Sequence, residues 1–278
     1  MRSATAPTGL IGVVGSLAGG AAGTRRGIAG LLASGNLPAR ILACVSRPSD
    51  ASTSLVGARR ERPVDIGKPR MRGWLHTFAF FLAIPAGVVL VTLAATIGGG
   101  VVPAISCAIY SLTLCGLFGT SALYHRRVWS PRGQALVRRL DHSMIFVFIA
   151  GTYTPFSVLL LPRTTAIVVL SVVWGGAVLG VAINLITPDA PRSMAAPLYV
   201  ALGWVAIFVL PDIARDGGLT ALALLLTGGV LYTVGAACLA MRWPNRWPKT
   251  FGHHEFFHAF TLAAALCQYV AIYFVLFR

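Results

Sequence analysis

The last apolar segment of the chain, residues 253–276, reads HHEFFHAFTLAAALCQYVAIYFVL. Its 24 residues are enough for one helix to cross about 30 Å of hydrocarbon. The first six of them include three histidines and a glutamate, and ionisable side chains are costly to place in lipid. The segment therefore predicts a transmembrane helix that begins with a cluster of ionisable groups.

Six further apolar runs precede this segment, and they have similar lengths. They span residues 74–97, 101–125, 140–161, 164–186, 195–213 and 218–241. Only 11% of the 278 residues are charged and 56% are hydrophobic, whereas soluble domains carry roughly 25% charged residues. This composition excludes a soluble enzyme and a wholly disordered chain. We predict an all-α integral membrane protein with a seven-transmembrane-helix bundle over residues 73–278.

The positive charges predict the orientation of this bundle. With the N-terminus in the cytoplasm, the inside connections carry nine cations, namely Arg126, Arg127, Arg132, Arg138, Arg139, Arg192, Arg242, Arg246 and Lys249. The outside segments carry three, namely Arg163, Arg215 and Arg278. The positive-inside rule then places the C-terminus outside. Because the cations lie between membrane-length runs, the net charge of +15 does not lead us to expect nucleic-acid binding.

Residues 1–72 differ in composition from the rest of the chain. They are rich in Ala, Gly, Ser and Arg, and they hold no acidic residue before Asp50. The weak apolar stretch from Leu10 to Gly23 is diluted by glycine and is followed, not preceded, by an Arg pair, unlike a cleaved signal peptide. We expect a basic, low-complexity and disordered N-terminal segment.

The ionisable residues within the apolar runs collect at the ends of three predicted helices. His125 ends the second run, Asp141 lies in the first turn of the third, and His254 and His258 lie in the first turns of the seventh. In the predicted orientation all three ends face the cytoplasm. We therefore expect these side chains at the same depth, where each ionisable residue is a candidate for function.

The spacing of the histidines favours a metal site. His254 and His258 are four residues apart and share one helix face. Together with His125 they would supply three imidazole ligands and leave a fourth position for water, as a catalytic Zn²⁺ site requires. A site without several carboxylates argues against Ca²⁺ or Mg²⁺. Asp141 would accept a hydrogen bond from the water and take its proton as general base.

Other interpretations of these residues remain open. Ser121, one turn from His125, could donate a hydrogen bond to a substrate carbonyl as negative charge develops, or it could bond its own helix backbone. Histidines at helix ends often reach the membrane interface without binding metal. Glu255 is the main rival of Asp141 as the base.

Three more histidines receive supporting roles. His142 and His253 point about 100° around their helices from Asp141 and His254, so we expect them beside the site or at the interface. His76 lies near the start of the first run and could hydrogen-bond the site from outside the ligand set.

Four ordered motifs resemble the hemolysin III family, the bacterial branch of the progestin and adipoQ receptors. They are SALYH at 121–125, LDHSMIF at 140–146, IAGTYTP at 149–155 and GHHEFFH at 252–258. The resemblance covers about residues 69–278. It implies seven helices, a cytoplasmic N-terminus and a bacterial-type inner (plasma) membrane. It also implies membership of a wider group of metal-dependent membrane hydrolases that includes alkaline ceramidases.

The resemblance also implies a Zn²⁺ near the cytoplasmic face. The family's three ligand histidines match His125, His254 and His258, its aspartate matches Asp141, and its serine matches Ser121. The function to expect is hydrolysis of a lipid amide or ester by a protein whose partners are the bilayer and its lipids. The alternatives are a membrane-lytic protein and a receptor or regulator of membrane homeostasis with a structural zinc.

Overall fold

The computed structural model describes residues 69–187 and 192–278, so residues 1–68 of the predicted N-terminal segment lie outside it. Within the described ranges the regular structure is helical, apart from one isolated antiparallel bridge between Trp247 and Phe251. Six helical stretches there are long and apolar enough to cross a membrane. The prediction of an all-α membrane protein is confirmed.

The described residues form seven main α-helices, and irregular helical turns connect the fifth helix to the sixth. Their bounds are α1 Trp74–Thr96, α2 Val101–Arg126, α3 Pro131–Leu160, α4 Arg163–Ile186, α5 Arg192–Gly203, α6 Gly218–Met241 and α7 His253–Leu276. The irregular connection consists of a 3₁₀ helix at Trp204–Val209, a single α-turn at Leu210–Asp212 and a π-helix at Ile213–Gly217.

The fifth and sixth predicted runs are joined by helical residues rather than by a loop, and for this reason six spans are found where seven are predicted. Pro197–Met241 forms one helical stretch of 45 residues. The chain nevertheless reverses within it, because Trp204 Nε1 donates a hydrogen bond to Thr233 Oγ1 at 3.1 Å across 29 residues of sequence. In a straight α-helix, two residues 29 positions apart would be separated by about 43 Å. Gly218, with φ +81°, interrupts the helical path.

The third helix begins earlier than the sequence predicts. The predicted break at residues 126–139 is wrong, since α3 starts at Pro131. Ser130 is the N-cap, and its Oγ accepts a hydrogen bond from the backbone N of Gly133 at 3.2 Å. Pro131, at the first helical position, has no N–H of its own to leave unpaired. Hydropathy alone missed these turns because they are polar. Arg138 therefore lies on the helix, one turn before Asp141 and His142.

Helix α7 packs against α1, α3 and α6, while α1 to α4 pack in chain order. Neighbouring helices approach each other closely at small residues, as is common for helices packed in membranes. A Cβ at Gly151 would lie 2.1 Å from Thr113 Oγ1 on α2, and one at Gly180 would lie 2.5 Å from the Phe146 ring on α3. Backbone hydrogen bonds of 3.0 and 3.2 Å from Arg70 and Met71 to residues 249–250 join the starts of α1 and α7.

Candidate metal centre

Three histidines from two helices converge at one end of the bundle. The ligand nitrogens of His125, His254 and His258 all lie within 4.8 Å of one another. The Nε2 atoms of His125 and His254 lie 3.1 Å apart. His258 completes the group, with its ring centroid 4.6 Å from that of His254 and 5.0 Å from that of His125.

This geometry fits a metal held by imidazole. Two nitrogens bound tetrahedrally at about 2.0–2.1 Å from one ion would be about 3.3 Å apart, close to the 3.1 Å between the Nε2 atoms of His125 and His254. Nitrogen donors suit transition metals better than they suit Ca²⁺ or Mg²⁺. The histidine triad could therefore hold a metal ion.

Local structure explains why these rings meet. The spacing of His254 and His258 puts both on one face of α7, and His125 lies in the last turn of α2. Gly73, just before α1, packs directly against His125. Its φ is +79°, and a Cβ added there would lie 2.8 Å from His125 Cβ, so this position combines a left-handed backbone with a contact that only glycine permits.

A buried ion pair anchors the start of α7. Glu255, 1% exposed, accepts a hydrogen bond from Arg72 Nε and a second, of 2.8 Å, from the backbone N of Gly252. The carboxylate thus binds the segment before α1 and caps α7 at the same time. Because these contacts engage both of its oxygens, the geometry favours a structural role for Glu255 over that of a base.

Asp141 is not a member of the histidine cluster, but it lines the same cavity. The buried Ser121 side chain is within hydrogen-bonding reach of its carboxylate. His142 Nδ1 lies 2.7 Å from the Arg138 carbonyl oxygen and 3.7 Å from Asp141 Oδ2. The carboxylate is therefore held by neighbouring side chains beside the triad.

His76 approaches the triad as a packed ring. It is 2% exposed, and its ring stacks on that of His258 with a centroid distance of 3.9 Å and an interplanar angle of 4°. On its other side it meets Phe118, whose ring centroid is 5.0 Å away. The contact with the site is aromatic stacking, where we expected a hydrogen bond. His253 lines the cavity next to the triad.

A large cavity of about 1080 Å³ opens from the triad into the bundle. Along α3 its wall runs from Gln134 through Asp141 and Ile149 to Phe156, and it continues beyond the helix to Leu161. The step from residue 134 to residue 161 corresponds to about 40 Å along a helix axis. Most of the wall is apolar, and the cavity volume is slightly above the range of typical ligand cavities, which measure roughly 300–1,000 Å³.

Sequence reasoning missed several residues around this centre. The contact between Gly73 and His125 and the pairing of Arg72 with Glu255 leave no local pattern, because the partners are far apart in the chain. The Glu255 cap was visible in principle, as a carboxylate three residues after the residue that precedes the helix. Arg138 and Arg139 had been assigned only to membrane orientation, yet both line the cavity.

Apolar helices surrounding a histidine cluster and a deep cavity define an α-helical, multi-pass membrane protein with a candidate metal site. A family model described as haemolysin-III related matches residues 64–269, and the chain belongs to this family. It is 28% identical over 199 residues to a "Hemolysin-3 homolog" of Bacillus subtilis (strain 168), covering 72% of this chain and 90% of the relative. It is 27% identical over 199 residues to a "Hemolysin-3" of Bacillus cereus, covering 72% and 87%.

Proposed function

We propose that this protein is a Zn²⁺-dependent hydrolase of a lipid amide or ester in the bacterial inner membrane. The observation that carries the proposal is the 3.1 Å approach of two imidazole Nε2 atoms in the wall of a long, largely apolar cavity. The triad supplies ligands from His125, His254 and His258 and leaves a coordination position free for water or substrate. A bound Zn²⁺ would supply Lewis-acid chemistry and a water of lowered pKa.

Residues of the chain carry out the proton transfer and stabilise the carbonyl oxygen. Asp141, on the cavity wall but outside the triad, takes the proton of the attacking water as general base. The hydroxyl of Ser121 reaches that carboxylate before the reaction. Once Asp141 has taken the proton of the water, the single O–H of Ser121 donates to the carbonyl oxygen on which negative charge develops. The apolar cavity takes an acyl chain and brings the scissile carbonyl to the histidine end.

The proposal includes a topology of seven spans. The hydrogen bond between Trp204 and Thr233 and the irregular turns before Gly218 support a reversal that divides the stretch Pro197–Met241 into two spans. An odd number of spans puts the termini on opposite sides. The distribution of cations then favours a cytoplasmic N-terminus and an external C-terminus, which puts the histidine triad near the cytoplasmic face.

The test is a screen of lipid amides and esters with zinc-loaded protein. Wild type is compared with Asp141→Asn, and Asp216→Asn, an exposed aspartate outside the site, serves as the matched control. We expect hydrolysis by wild type and by the control, with the rate lowered by about 10²–10⁴ in Asp141→Asn. A zinc-loaded, monodisperse wild type that hydrolyses no member of the panel would contradict the hydrolase assignment.

A membrane-lytic function is the second candidate, and the name of the Bacillus cereus relative, "Hemolysin-3", favours it. It predicts leakage from erythrocytes that persists in Asp141→Asn, because lysis needs no general base. Leakage that disappears together with hydrolysis would instead make it a consequence of the enzymatic activity. A receptor or homeostasis regulator is the third candidate, in which the zinc is structural and signalling persists in both Asp141→Asn and Ser121→Ala.

A further inference from the structure

Two polar side chains lie in the cavity wall away from the histidine triad, within helices that are long enough to span the membrane. Tyr232 is on α6 and Gln268 is on α7, and both line the cavity. Gln268 is ten residues beyond His258, which puts it about 15 Å from that candidate ligand along the helix axis. Polar groups at such a depth are costly and often mark binding sites.

The polar ends of these two side chains are unsatisfied. The Tyr232 hydroxyl oxygen and Gln268 Oε1 are shielded from solvent, and they have no hydrogen-bond partner among the described residues. Gln268 is 9% exposed as a whole. A buried polar atom without a partner is costly, so a ligand that supplies the missing hydrogen bonds is favoured.

The packing of α6 on α7 brings the two side chains to the same part of the wall. A Cβ at Gly228 on α6 would lie 3.2 Å from Gln268 Cγ and 3.4 Å from Gln268 Nε2, so the carboxamide packs against this glycine. Tyr232 is one turn further along α6, about 5.4 Å along the axis, and shares the face of Gly228. Two hydrogen bonds of about 2.7–2.8 Å to one oxygen span that distance.

The two unsatisfied atoms together match a ligand hydroxyl. A carboxamide oxygen only accepts hydrogen bonds, whereas a tyrosine hydroxyl both donates and accepts. One ligand O–H therefore serves both, because it donates to Gln268 and accepts from Tyr232. A ketone or ester carbonyl only accepts and would leave Gln268 Oε1 unpaired. The last torsion of a glutamine has broad preferences, so the oxygen can turn to the ligand without displacement of α7.

The depth of the pair indicates where on an acyl chain this hydroxyl lies. Three backbone bonds of an extended chain span at most about 3.6 Å, or about 1.2 Å per bond. The distance of about 15 Å along α7 then corresponds to about twelve bonds. A hydroxyl near carbon 12 reaches the pair when the carbonyl end of the chain is at the histidine triad.

We infer that Tyr232 and Gln268 bind a hydroxyl group about twelve carbons along the acyl chain of a lipid in the cavity. The inference rests on the proposed function and narrows its substrate class to lipids with a hydroxylated acyl chain. An unsubstituted chain fills the same apolar wall but leaves both polar atoms without partners.

Native mass spectrometry of the zinc-loaded protein in maltoside micelles tests this inference with 12-hydroxystearate, 3-hydroxystearate and stearate. We expect 12-hydroxystearate to bind about tenfold more tightly than stearate, the gain typical of one or two net hydrogen bonds, and 3-hydroxystearate to bind like stearate. Equal affinities for all three, or no binding of any, would overturn the inference. An equal gain from hydroxyls at carbons 3 and 12 would also overturn it, because carbon 3 stays near the triad.

Variants assign the preference to the pair. Tyr232→Phe and Gln268→Leu are each expected to abolish it. Tyr269→Phe is the matched control, because it removes a hydroxyl that bonds the Ala86 carbonyl at 2.9 Å from a residue outside the cavity lining, and it should keep the preference. A preference that survives in Tyr232→Phe or in Gln268→Leu overturns the inference.

Thermal unfolding in detergent without added lipid gives a second measurement. Tyr232→Phe removes a buried oxygen that has no partner, so the midpoint should be unchanged or higher than in wild type. A marked fall of the midpoint would mean that the hydroxyl has a partner within the protein, which overturns the inference.

The hydrolase assignment is judged separately, with the ethanolamide of 12-hydroxystearic acid as substrate and with zinc content measured in every variant. Tenfold tighter binding of 12-hydroxystearate without hydrolysis of this amide by zinc-loaded wild type contradicts the proposed function and supports the hydroxyl site. Hydrolysis together with equal affinities for 12-hydroxystearate and stearate overturns the hydroxyl site and leaves the proposed function standing.

Discussion

The imidazole of His76 lies flat on that of His258, with ring centroids 3.9 Å apart and planes 4° apart. One of these rings belongs to the candidate ligand set and the other does not. His76 is also packed against Phe118, so two aromatic rings form a wall behind His258. This wall restricts the rotation of the His258 ring and thereby the direction of its nitrogens.

We predict that the stacking contact of His76, and not its nitrogens, supports the metal centre. His76→Phe keeps a ring against His258 and should retain zinc. His76→Ala leaves a cavity behind His258 and should lower the free energy of unfolding by about 2–4 kcal/mol while weakening zinc binding. Zinc titration of both variants checks this, and loss of zinc from His76→Phe would mean that a nitrogen of His76 is required.

Gly73 offers a test of the contact behind His125. Gly73→Ala forces a left-handed backbone at a cost of about 1–2 kcal/mol, and its Cβ would displace His125. Zinc affinity should fall roughly tenfold, in the range found when residues supporting a ligand are changed.

Gly99→Ala is the matched control, because Gly99 also has a positive φ, of +90°, but nothing lies within 4 Å of an added Cβ. It should bear the backbone strain and keep wild-type zinc affinity. Equal zinc affinity in the two variants would show that the contact between Gly73 and His125 does not matter for the metal.

The ion pair of Arg72 and Glu255 should be a main source of stability at this end of the bundle. Glu255→Gln leaves Arg72 without its charge partner, which should cost roughly 2–4 kcal/mol, at or below the range for fully buried pairs because Arg72 is partly exposed. Thermal unfolding in detergent measures the effect. Asp216→Asn disrupts the exposed pair with Arg215 and should leave the midpoint unchanged; an equally small shift for Glu255→Gln would refute the anchoring role.

Ser121 distinguishes catalysis from packing. Ser121→Ala removes the hydroxyl that reaches Asp141, and we expect kcat to fall by about 10²–10³, as for loss of one donor to a developing oxyanion, with zinc content unchanged. Ser121→Thr keeps a hydroxyl and should recover part of the rate. If kcat is normal in Ser121→Ala, the hydroxyl serves the helix and not the reaction.

The fold was predictable where hydropathy changes sharply. The predicted runs 74–97 and 253–276 nearly coincide with helices Trp74–Thr96 and His253–Leu276, since apolar residues stop abruptly at their ends. The start of α3 was missed because its first turns are polar, although Ser130 and Pro131 are a recognisable helix-start signal. The break between the fifth and sixth runs, at residues 214–217, was predicted from the charged residues there, but hydropathy could not show that the connection is itself helical.

For the site, local spacing was informative and long-range pairing was not. Four-residue spacing put His254 and His258 on one face, and the matching helix ends brought His125 to them. Arg72 and Glu255 are 183 residues apart, and no pattern within either segment indicates the other. The cavity depends on the packing of several helices, which a single sequence does not specify.

Zinc content of the detergent-purified protein tests the central claim most directly. Elemental analysis should find about one Zn²⁺ per chain in wild type and none in His254→Ala, because removing one of three imidazoles leaves an incomplete ligand set. His142→Ala, a histidine outside the triad, should retain the metal. A folded, monodisperse wild type without zinc, or a His254→Ala variant that keeps it, would contradict the account.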